Sequence, residues 1–326
     1  MKISIIIAVY NDPAIKQCLE SIYQSKNADF ETIVVDDAST SINIEKIVKD
    51  CPECKLFKLG KNGPAFARNF GAKQATGEIV FFIDSDAQLY PDTLQKISER
   101  FKNDPNLQGI TIIWSDELIR ANFFNRFKAI ETNYLFTDVY VRSFGSNGSA
   151  IYKNLFLKEG GFDESFKSAH AEDFHMGFRF FKKGYNIVLD KNISMKHAYL
   201  DNFFFKGLKK YCKRAFLRAM VLRRTKGKME TSYNSNKFMV LYLLSGLILL
   251  SVIFGIIIRP LFWMALGLYI IFFYLNKKMY SRFLKKYGII FAIRSVGMHY
   301  FYILIVSMAG AMGLVYACLI KNKNDI

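Results

Sequence analysis

Cysteine is scarce in this chain and does not pair into a pattern. The five cysteines among 326 residues are Cys18, Cys51, Cys54, Cys212 and Cys318. An odd number without framework spacing argues against a disulfide scaffold. Cys51 and Cys54 form a single CxxC with no second pair, which reads as a loop thiol pair rather than a metal ribbon. A secretory leader is also missing. Met1 and Lys2 are followed by the short β-branched run Ile3–Tyr10, with no long apolar core and no small-residue cleavage site. The N-terminal part is therefore expected in the cytosol. No internal repeat or low-complexity tract occurs, which sets aside solenoids and disordered linkers. Acidic residues are in deficit, 28 against 45 lysines and arginines, so the formal net charge is +17.

A basic chain that is also 51% hydrophobic points to anionic lipid or to nucleic acid. The distribution decides. Apolar residues concentrate late, in Phe238–Ile258, Leu261–Leu275 and about Met298–Ile320. The first is of spanning length and the second is short for a span. Ahead of them, residues 202–237 interleave Lys209, Lys210, Lys213, Arg214 and Arg218 with Leu208, Tyr211, Phe216 and Met220. This predicts a basic amphipathic helix at a membrane surface. No base-reading motif accompanies the charge, so no nucleic-acid partner is expected.

Three regions are thus expected: a domain over 1–201, a basic interfacial segment over 202–237 and a transmembrane region over 238–326. The last reads as two spans, a basic loop at 277–286 and a third span. The basic flanks put 202–237 and 277–286 inside. Arg259 and the Lys321/Lys323 tail then fall outside, against the positive-inside rule. Gly310 and Gly313, with Ala309 and Ala311, give a small-residue face for helix packing.

Residues 1–200 alternate strand and helix patterns. Ile3–Val9, Thr32–Val35, Leu56–Leu59 and Ile79–Ile83 read as strands, apolar in the way of a sheet covered on both faces. Helices are expected after Asp12-Pro13, at Asn43–Lys49, Ala65–Gln74 and Thr93–Lys102, with a further helix at Asn122–Tyr134. Gly109–Trp114, Ala150–Tyr152, Asn186–Leu189 and Ile193–Lys196 add strands, and Glu172–Lys183 a helix closed by Gly184. The pattern predicts an α/β doubly wound sheet, with ligands at the carboxyl ends of its strands.

Acids gather at those ends. Asp84-Ser85-Asp86 follows a buried strand, and two carboxylates facing one place suit a hard cation such as Mg²⁺ or Mn²⁺. Asp36-Asp37 ends another strand, where a carboxylate can accept a nucleobase N–H or simply cap a turn. Lys61-Asn62-Gly63-Pro64 and Arg68 place flexible backbone and positive charge between the two acid sites. Glu172 and Asp173 stand at a helix N-terminus, favourable for the helix dipole and also placed to serve as a general base. His197 closes the domain after a strand, as a candidate for a metal or diphosphate. His170 and His175 flank the Glu172-Asp173 pair.

In order and spacing, Ser4–Asn11, Val34–Ser39, Asn62–Gly71, Ala75–Glu78, Ile83–Asp86, Gly160–Glu164 and Glu172-Asp173 together resemble the family 2 glycosyltransferases. The resemblance covers about residues 1–200. It implies a GT-A fold with a mixed sheet and an inverting transfer of sugar from a nucleotide-sugar donor. By position it implies that Asp36 contacts the base, with Ala8 and Tyr10 lining that pocket and Asn62 and Arg68 nearby. Asp84, Ser85 and Asp86 then hold the metal and diphosphate, Asp86 as direct ligand. His197 helps at the metal, and Asp173 is the base with Glu172 beside it. No Q-x-x-R-W element follows the base, which implies single-sugar transfer rather than polymerisation. The expected donor is a UDP-sugar. The expected acceptor is a lipid-linked or envelope glycan hydroxyl at the cytosolic face of a plasma or inner membrane. Transfer to a polyprenyl phosphate is the alternative within the class, and a non-catalytic nucleotide-sugar-binding scaffold the alternative outside it.

Overall fold

The computed structural model describes residues 1–51, 53–119, 122–138, 144–166, 172–197, 204–224 and 236–319. The chain divides into two compact units, Met1–Ala121 with Phe136–Tyr199 and Asn122–Leu135 with Leu200–Ile326.

The first unit runs β1 (Ile3–Val9), α1 (Ile15–Tyr23), β2 (Phe30–Asp37), α2 (Ile44–Val48), β3 (Cys54–Leu59), α3 (Pro64–Gln74), β4 (Ile79–Asp84), β5 (Ala87–Leu89), α4 (Thr93–Asn103) and β6 (Gly109–Trp114). After α5 (Phe123–Asp138), most of which belongs to the second unit, come β7 (Ser149–Tyr152), α6 (Lys153–Lys158), α7 (Glu172–Lys182) and β8 (Ile187–His197). One sheet orders these strands β3-β2-β1-β4-β7-β6-β8-β5. β3, β2, β1 and β4 are mutually parallel, whereas β7 is antiparallel to both β4 and β6. The sheet is therefore mixed. Ile3, Ile5, Ile6 and Ile7 are all fully buried, because helices cover both faces of the parallel half. The core beneath α3 and α7 is aromatic. Phe82 lies 4.8 Å from Phe156 and 5.2 Å from Phe162, and Phe144 packs edge-on to Phe180 at 5.1 Å.

Several local expectations change. α1 starts at Ile15 rather than at Pro13, because Asp12 turns its carboxylate back to the Ala14 N–H at 3.0 Å and forms a turn ahead of the helix. The two short strands expected between 186 and 196 are one strand, β8. A bulge there pairs Ile112 with Asp190 but the next residue, Ile113, with Ser194. β5 carries no sequence signal, being three residues long.

The second unit comprises most of α5, then α8 (Phe204–Arg224), α9 (Asn236–Gly255), α10 (Pro260–Leu275) and α11 (Lys277–Leu319). α5 sorts here rather than with the sheet because its apolar face has partners here. Phe127 stacks on Phe283 at 5.5 Å and meets Tyr302 edge-on at 6.3 Å. The stretch 277–286, expected as a loop, is helical and continues into the last apolar segment through a kink at Gly288, whose φ is 83°. Among the described residues two helices, α9 and α11, are long and apolar enough to cross a membrane. α10 has 16 residues, so the expectation of three full spans is not met.

Candidate active site

Strand ends bring the acids together. The parallel register sets Val9 beside Asp36 and Ala8 beside Asp84, so β1, β2 and β4 finish at one level. Past that level the chain must turn, and polar side chains hold the turns. Asp37 accepts the Asn62 N–H at 2.7 Å on one oxygen and the Gly63 N–H at 2.9 Å on the other. This fixes the loop that starts α3. Asp36 accepts the Ser39 N–H at 2.9 Å.

A cleft of ≈ 530 Å³ opens here, lined by Ala8, Val9, Tyr10, Asp37, Lys61, Asn62, Gly63 and Pro64. The structure thus gathers Ala8, Tyr10 and Asn62 as the sequence predicts. The carboxylate on the cleft wall is Asp37, while Asp36, also buried, is turned to the Ser39 amide. Nothing in the DD pair itself distinguishes them; the Asn62 and Gly63 amides do, by holding Asp37. Tyr10 is exposed and Lys61 stands 4.9 Å from its ring centroid, so a flat aromatic face and a cation border the opening.

The second cluster forms around β5. Three residues after Asp84, Ala87 pairs with His197 in antiparallel register. That pairing draws the end of β8 against Asp86, and His197 Nε2 lies 3.3 Å from Asp86 Oδ1. One ligand atom from each of Asp84, Asp86 and His197 lies within 4.8 Å of the others. The imidazole is set by Trp114, whose ring stacks on it at 4.1 Å with 21° between planes and whose indole N–H donates to the Asn147 carbonyl. Trp114 was not among the site residues the sequence suggested, because only the pairing of β6 with β8 brings it to His197.

Two carboxylates and one imidazole make a donor set suited to a divalent ion such as Mn²⁺. The residues fit the expected cation. Ser85 does not face this set. Its hydroxyl donates to Asp12 Oδ2 at 2.5 Å and so pins the Asp84–Asp86 turn to the segment before α1. Beneath the turn, the Cys18 thiol lies 3.7 Å from the Asp84 carbonyl oxygen. Burial, with the charges of Asp86, Asp12 and Asp84, pushes that thiol well up, so it stays protonated.

Arg68 connects this cluster to α7. Its guanidinium donates to Asp84 Oδ1 at 2.8 Å and to Glu172 Oε1 at 2.9 Å. Arg68 and Glu172 are both buried. Burial opposes the charge on Arg68, but Asp84, Glu172 and Asp173 outweigh it and raise its pKa. The two acids of α7 thereby differ in environment. Glu172 is 1% exposed and held by Arg68, while Asp173 is half-buried and caps the Phe174 N–H at 2.8 Å. Arg68 is not among the residues that line the cleft, and its guanidinium joins Asp84 to Glu172. His175, on the next turn, pairs with Asp163 at 3.5 Å. His170 lies outside the described residues.

The Gly160-Gly161-Phe162-Asp163-Glu164 motif is explained by Asn69. The Asn69 side chain accepts the Phe162 N–H at 2.8 Å and donates to the Phe162 carbonyl at 2.8 Å and to Glu164 Oε1 at 2.9 Å. Gly161 has φ 66°, and a Cβ there would stand 2.4 Å from Asn69 Oδ1. Only glycine allows this approach. The clamp ties α3, which carries Arg68, to the segment that leads into α7.

Residues 4–161 match the family model described as glycosyl transferase family 2. An uncharacterized glycosyltransferase of Haemophilus influenzae is 28% identical over 176 residues, 53% of this chain and 60% of that protein. One from Rickettsia felis is 36% identical over 110 residues, 32% of this chain and 18% of that protein. The chain thus spans less than two thirds of either relative. Among solved structures, the mannosyltransferase PcManGT of Pyrobaculum calidifontis, in complex with GDP-Man and Mn²⁺, superposes with a TM-score of 0.58 at 18% identity. The superposition covers 96% of this chain and 87% of that one, and at this identity the likeness is one of fold.

Proposed function

We propose that this chain, which carries a glycosyl transferase family 2 domain on a GT-A-like mixed sheet, moves one sugar from a nucleoside diphosphate donor to an acceptor hydroxyl at a membrane surface, with inversion. The observation that carries this reading is the convergence of Asp84, Asp86 and His197 beside the Tyr10–Lys61 cleft, with Asp173 braced to the same cluster through Arg68 and Glu172.

The cleft receives the nucleoside. Tyr10 offers a stacking face, and the carboxylate of Asp36 or Asp37 accepts the base N–H. The reading keeps uridine as the base, although the structural neighbour was solved with GDP-Man. Asp84, Asp86 and His197 hold a divalent cation, Mg²⁺ or Mn²⁺, which when bound offsets the charge of the leaving diphosphate. Asp173 takes the proton of the acceptor hydroxyl as that oxygen attacks the anomeric carbon opposite the diphosphate. Glu172 serves through Arg68, fixing α7 and so the position of Asp173. The exposed apolar helices of the second unit hold the enzyme at a membrane, where lipid-linked or envelope glycan acceptors lie.

The test is donor turnover. Purified protein in detergent is given a panel of UDP- and GDP-sugars, with Mn²⁺, with Mg²⁺ and with chelator. Release of one nucleotide that needs the metal, and that is lost in Asp86→Ala, supports the reading. Nucleotide binding that is absent with every donor and indifferent to metal would sink it.

A further inference from the structure

We propose that Trp114 and the turn Asn147-Gly148 are positioning residues of the metal site: the peptide group between Asn147 and Gly148 ties β4 to the indole of Trp114, and that indole sets the ring of His197 against Asp84 and Asp86. This rests on the metal-dependent reading above and deepens it by naming what holds the imidazole.

The sheet fixes the backbone of His197 but not its ring. Pairing of β5 with β8 places His197 beside Ala87. The two side-chain torsions remain to be set. They decide where Nε2 points, and Nε2 is the atom 3.3 Å from Asp86 Oδ1. Trp114 supplies the missing constraint. After the bulge in β8, it lies beside Met195 in parallel register. Side chains alternate along a strand, so Met195 and His197 share one face. Trp114 therefore emerges on the face that carries His197. Its ring stacks on the imidazole at 4.1 Å with 21° between planes. Turning the imidazole about its Cβ–Cγ bond would drive one edge into the indole. The stacked plane removes that freedom.

The indole must itself be held. Trp114 is buried, and its N–H donates to the Asn147 carbonyl at 3.2 Å. That carbonyl shares a peptide group with the Gly148 N–H, which donates to the Phe82 carbonyl of β4 at 2.8 Å. The peptide is trans, so its C=O and N–H point in opposite directions within one plane. Anchoring the N–H on β4 thus aims the C=O at Trp114. Phe82 stands two residues before Asp84 on the same strand. The strand that ends in the acid pair therefore also orients the tryptophan that orients the imidazole. Gly148 makes this possible. Its own carbonyl accepts the Ile112 N–H of β6 at 2.8 Å, so it bridges β4 and β6 with φ at 128°. Any residue with a Cβ is strained there.

The experiment uses the full chain in detergent with Mn²⁺ as the probe, alone and with UDP or GDP. Bound metal is read by electron paramagnetic resonance, and circular dichroism confirms that each variant is folded. Trp114→Leu removes the flat face and should weaken Mn²⁺ binding about 10–100-fold, the range for losing a group that orients a ligand. Trp114→Phe keeps a flat face without the N–H and should lose less. Gly148→Ala strains the turn and should weaken Mn²⁺ binding too. Ile110→Ala, fully buried on the same strand, controls for stability alone. It should lower the melting temperature and leave Mn²⁺ affinity at the parent value. In a Trp263→Phe background Trp114 is the one tryptophan left, and bound Mn²⁺ should quench its fluorescence. Unchanged Mn²⁺ affinity in Trp114→Leu or in Gly148→Ala would overturn the inference. So would an equal loss of affinity in Ile110→Ala, or bound Mn²⁺ that leaves Trp114 unquenched. No Mn²⁺ binding by the parent under any of these conditions would overturn the metal reading itself.

Discussion

The two units of this chain bury charge in different ways. In the first, Arg68 sits between Asp84 and Glu172 and links β4 to α7 through one guanidinium. In the second, Lys128 is paired with Glu131 at 2.5 Å, both 1% exposed, with the ammonium 4.3 Å from the Tyr211 ring centroid and 4.6 Å from that of Tyr302. The first arrangement ties the end of β4 to the start of α7 through a shared cation. The second neutralises a lysine inside a helical packing, with aromatic faces supplying the rest of its environment. A buried ion pair is weak evidence for stability in either case, since desolvation offsets the attraction. What differs is whether an apolar replacement would be silent for function.

The largest effects should fall in the first unit and leave its fold intact. Asp173→Asn removes the proposed base, and donor turnover with acceptor should fall by about 10²–10⁴-fold. Asp86→Ala should abolish metal-dependent turnover. Circular dichroism and melting of both variants should match the parent, because Asp86 and Asp173 are only half-buried. Activity retained in Asp86→Ala would break the assignment of the Asp84, Asp86 and His197 cluster.

Next come the braces. Arg68→Met leaves Asp84 and Glu172 without their shared partner and should destabilise the first unit by about 3–5 kcal/mol, with activity lost in whatever remains folded. Lys128→Met should cost a similar amount in the second unit, since it strands Glu131. The double change Lys128→Met with Glu131→Leu should recover most of that loss, and donor turnover should recover with it. The corresponding triple change at Arg68, Asp84 and Glu172 should recover stability without activity. Thermal melts and turnover assays on the set decide whether the contrast between the units is real. Recovery of turnover in the triple variant would erase it.

How much was legible in the sequence follows the same division. The strands β1, β2 and β4 were readable because burial on both faces leaves an unbroken apolar run, and the acids after them mark where the runs end. β5 was not readable. Three residues carry no period, and its pairing with the end of β8 is a long-range event that local pattern cannot encode. For the same reason His197 was a lone candidate in the sequence, and Trp114 was missed. Asp36 and Asp37 were adjacent and chemically identical, so only the loop at Asn62–Gly63 reveals which one reaches the cleft wall. In the second unit, composition marked the apolar helices but not their partners. α5 reads as an aromatic helix from sequence, and its membership of that unit depends on contacts with Phe283 and Tyr302. Gly313 was noted as part of a packing face, and it packs on Phe216, whereas Gly310 has nothing close to where a Cβ would stand.

A smaller effect sharpens the packing side of the comparison. Gly313→Leu forces a side chain into the Phe216 backbone, which cannot yield as a flexible side chain would. Overpacking of this kind costs about 1–3 kcal/mol. It should loosen α8 from α11, seen as faster proteolysis at the lysines of α8, while metal-dependent nucleotide binding by the first unit persists.

The smallest expected effect concerns pH and lies on the sheet, away from both clusters. Glu31 on β2 is buried, which pushes its pKa up. The hydrogen bonds from the Lys55 ammonium, the Ser4 hydroxyl and the Thr76 hydroxyl and N–H outweigh this and hold it down at about 2. A carboxyl depressed in the folded state adds stability that is fully present above its unfolded pKa. That stability is lost as pH falls through the folded value. The window therefore runs from the ordinary glutamate range near pH 4.5 down to about 2. Because Lys55 is partly exposed, solvent screening trims the gain to about 1–2 kcal/mol. In Glu31→Gln the acid-side loss of melting temperature across this window should flatten, with the parent less stable at pH 3 than at pH 6 by more than the variant is. An unchanged slope would mean that Ser4, Thr76 and Gly77 position β1 and β2 by shape alone, and that the ionised state of Glu31 contributes nothing to the fold.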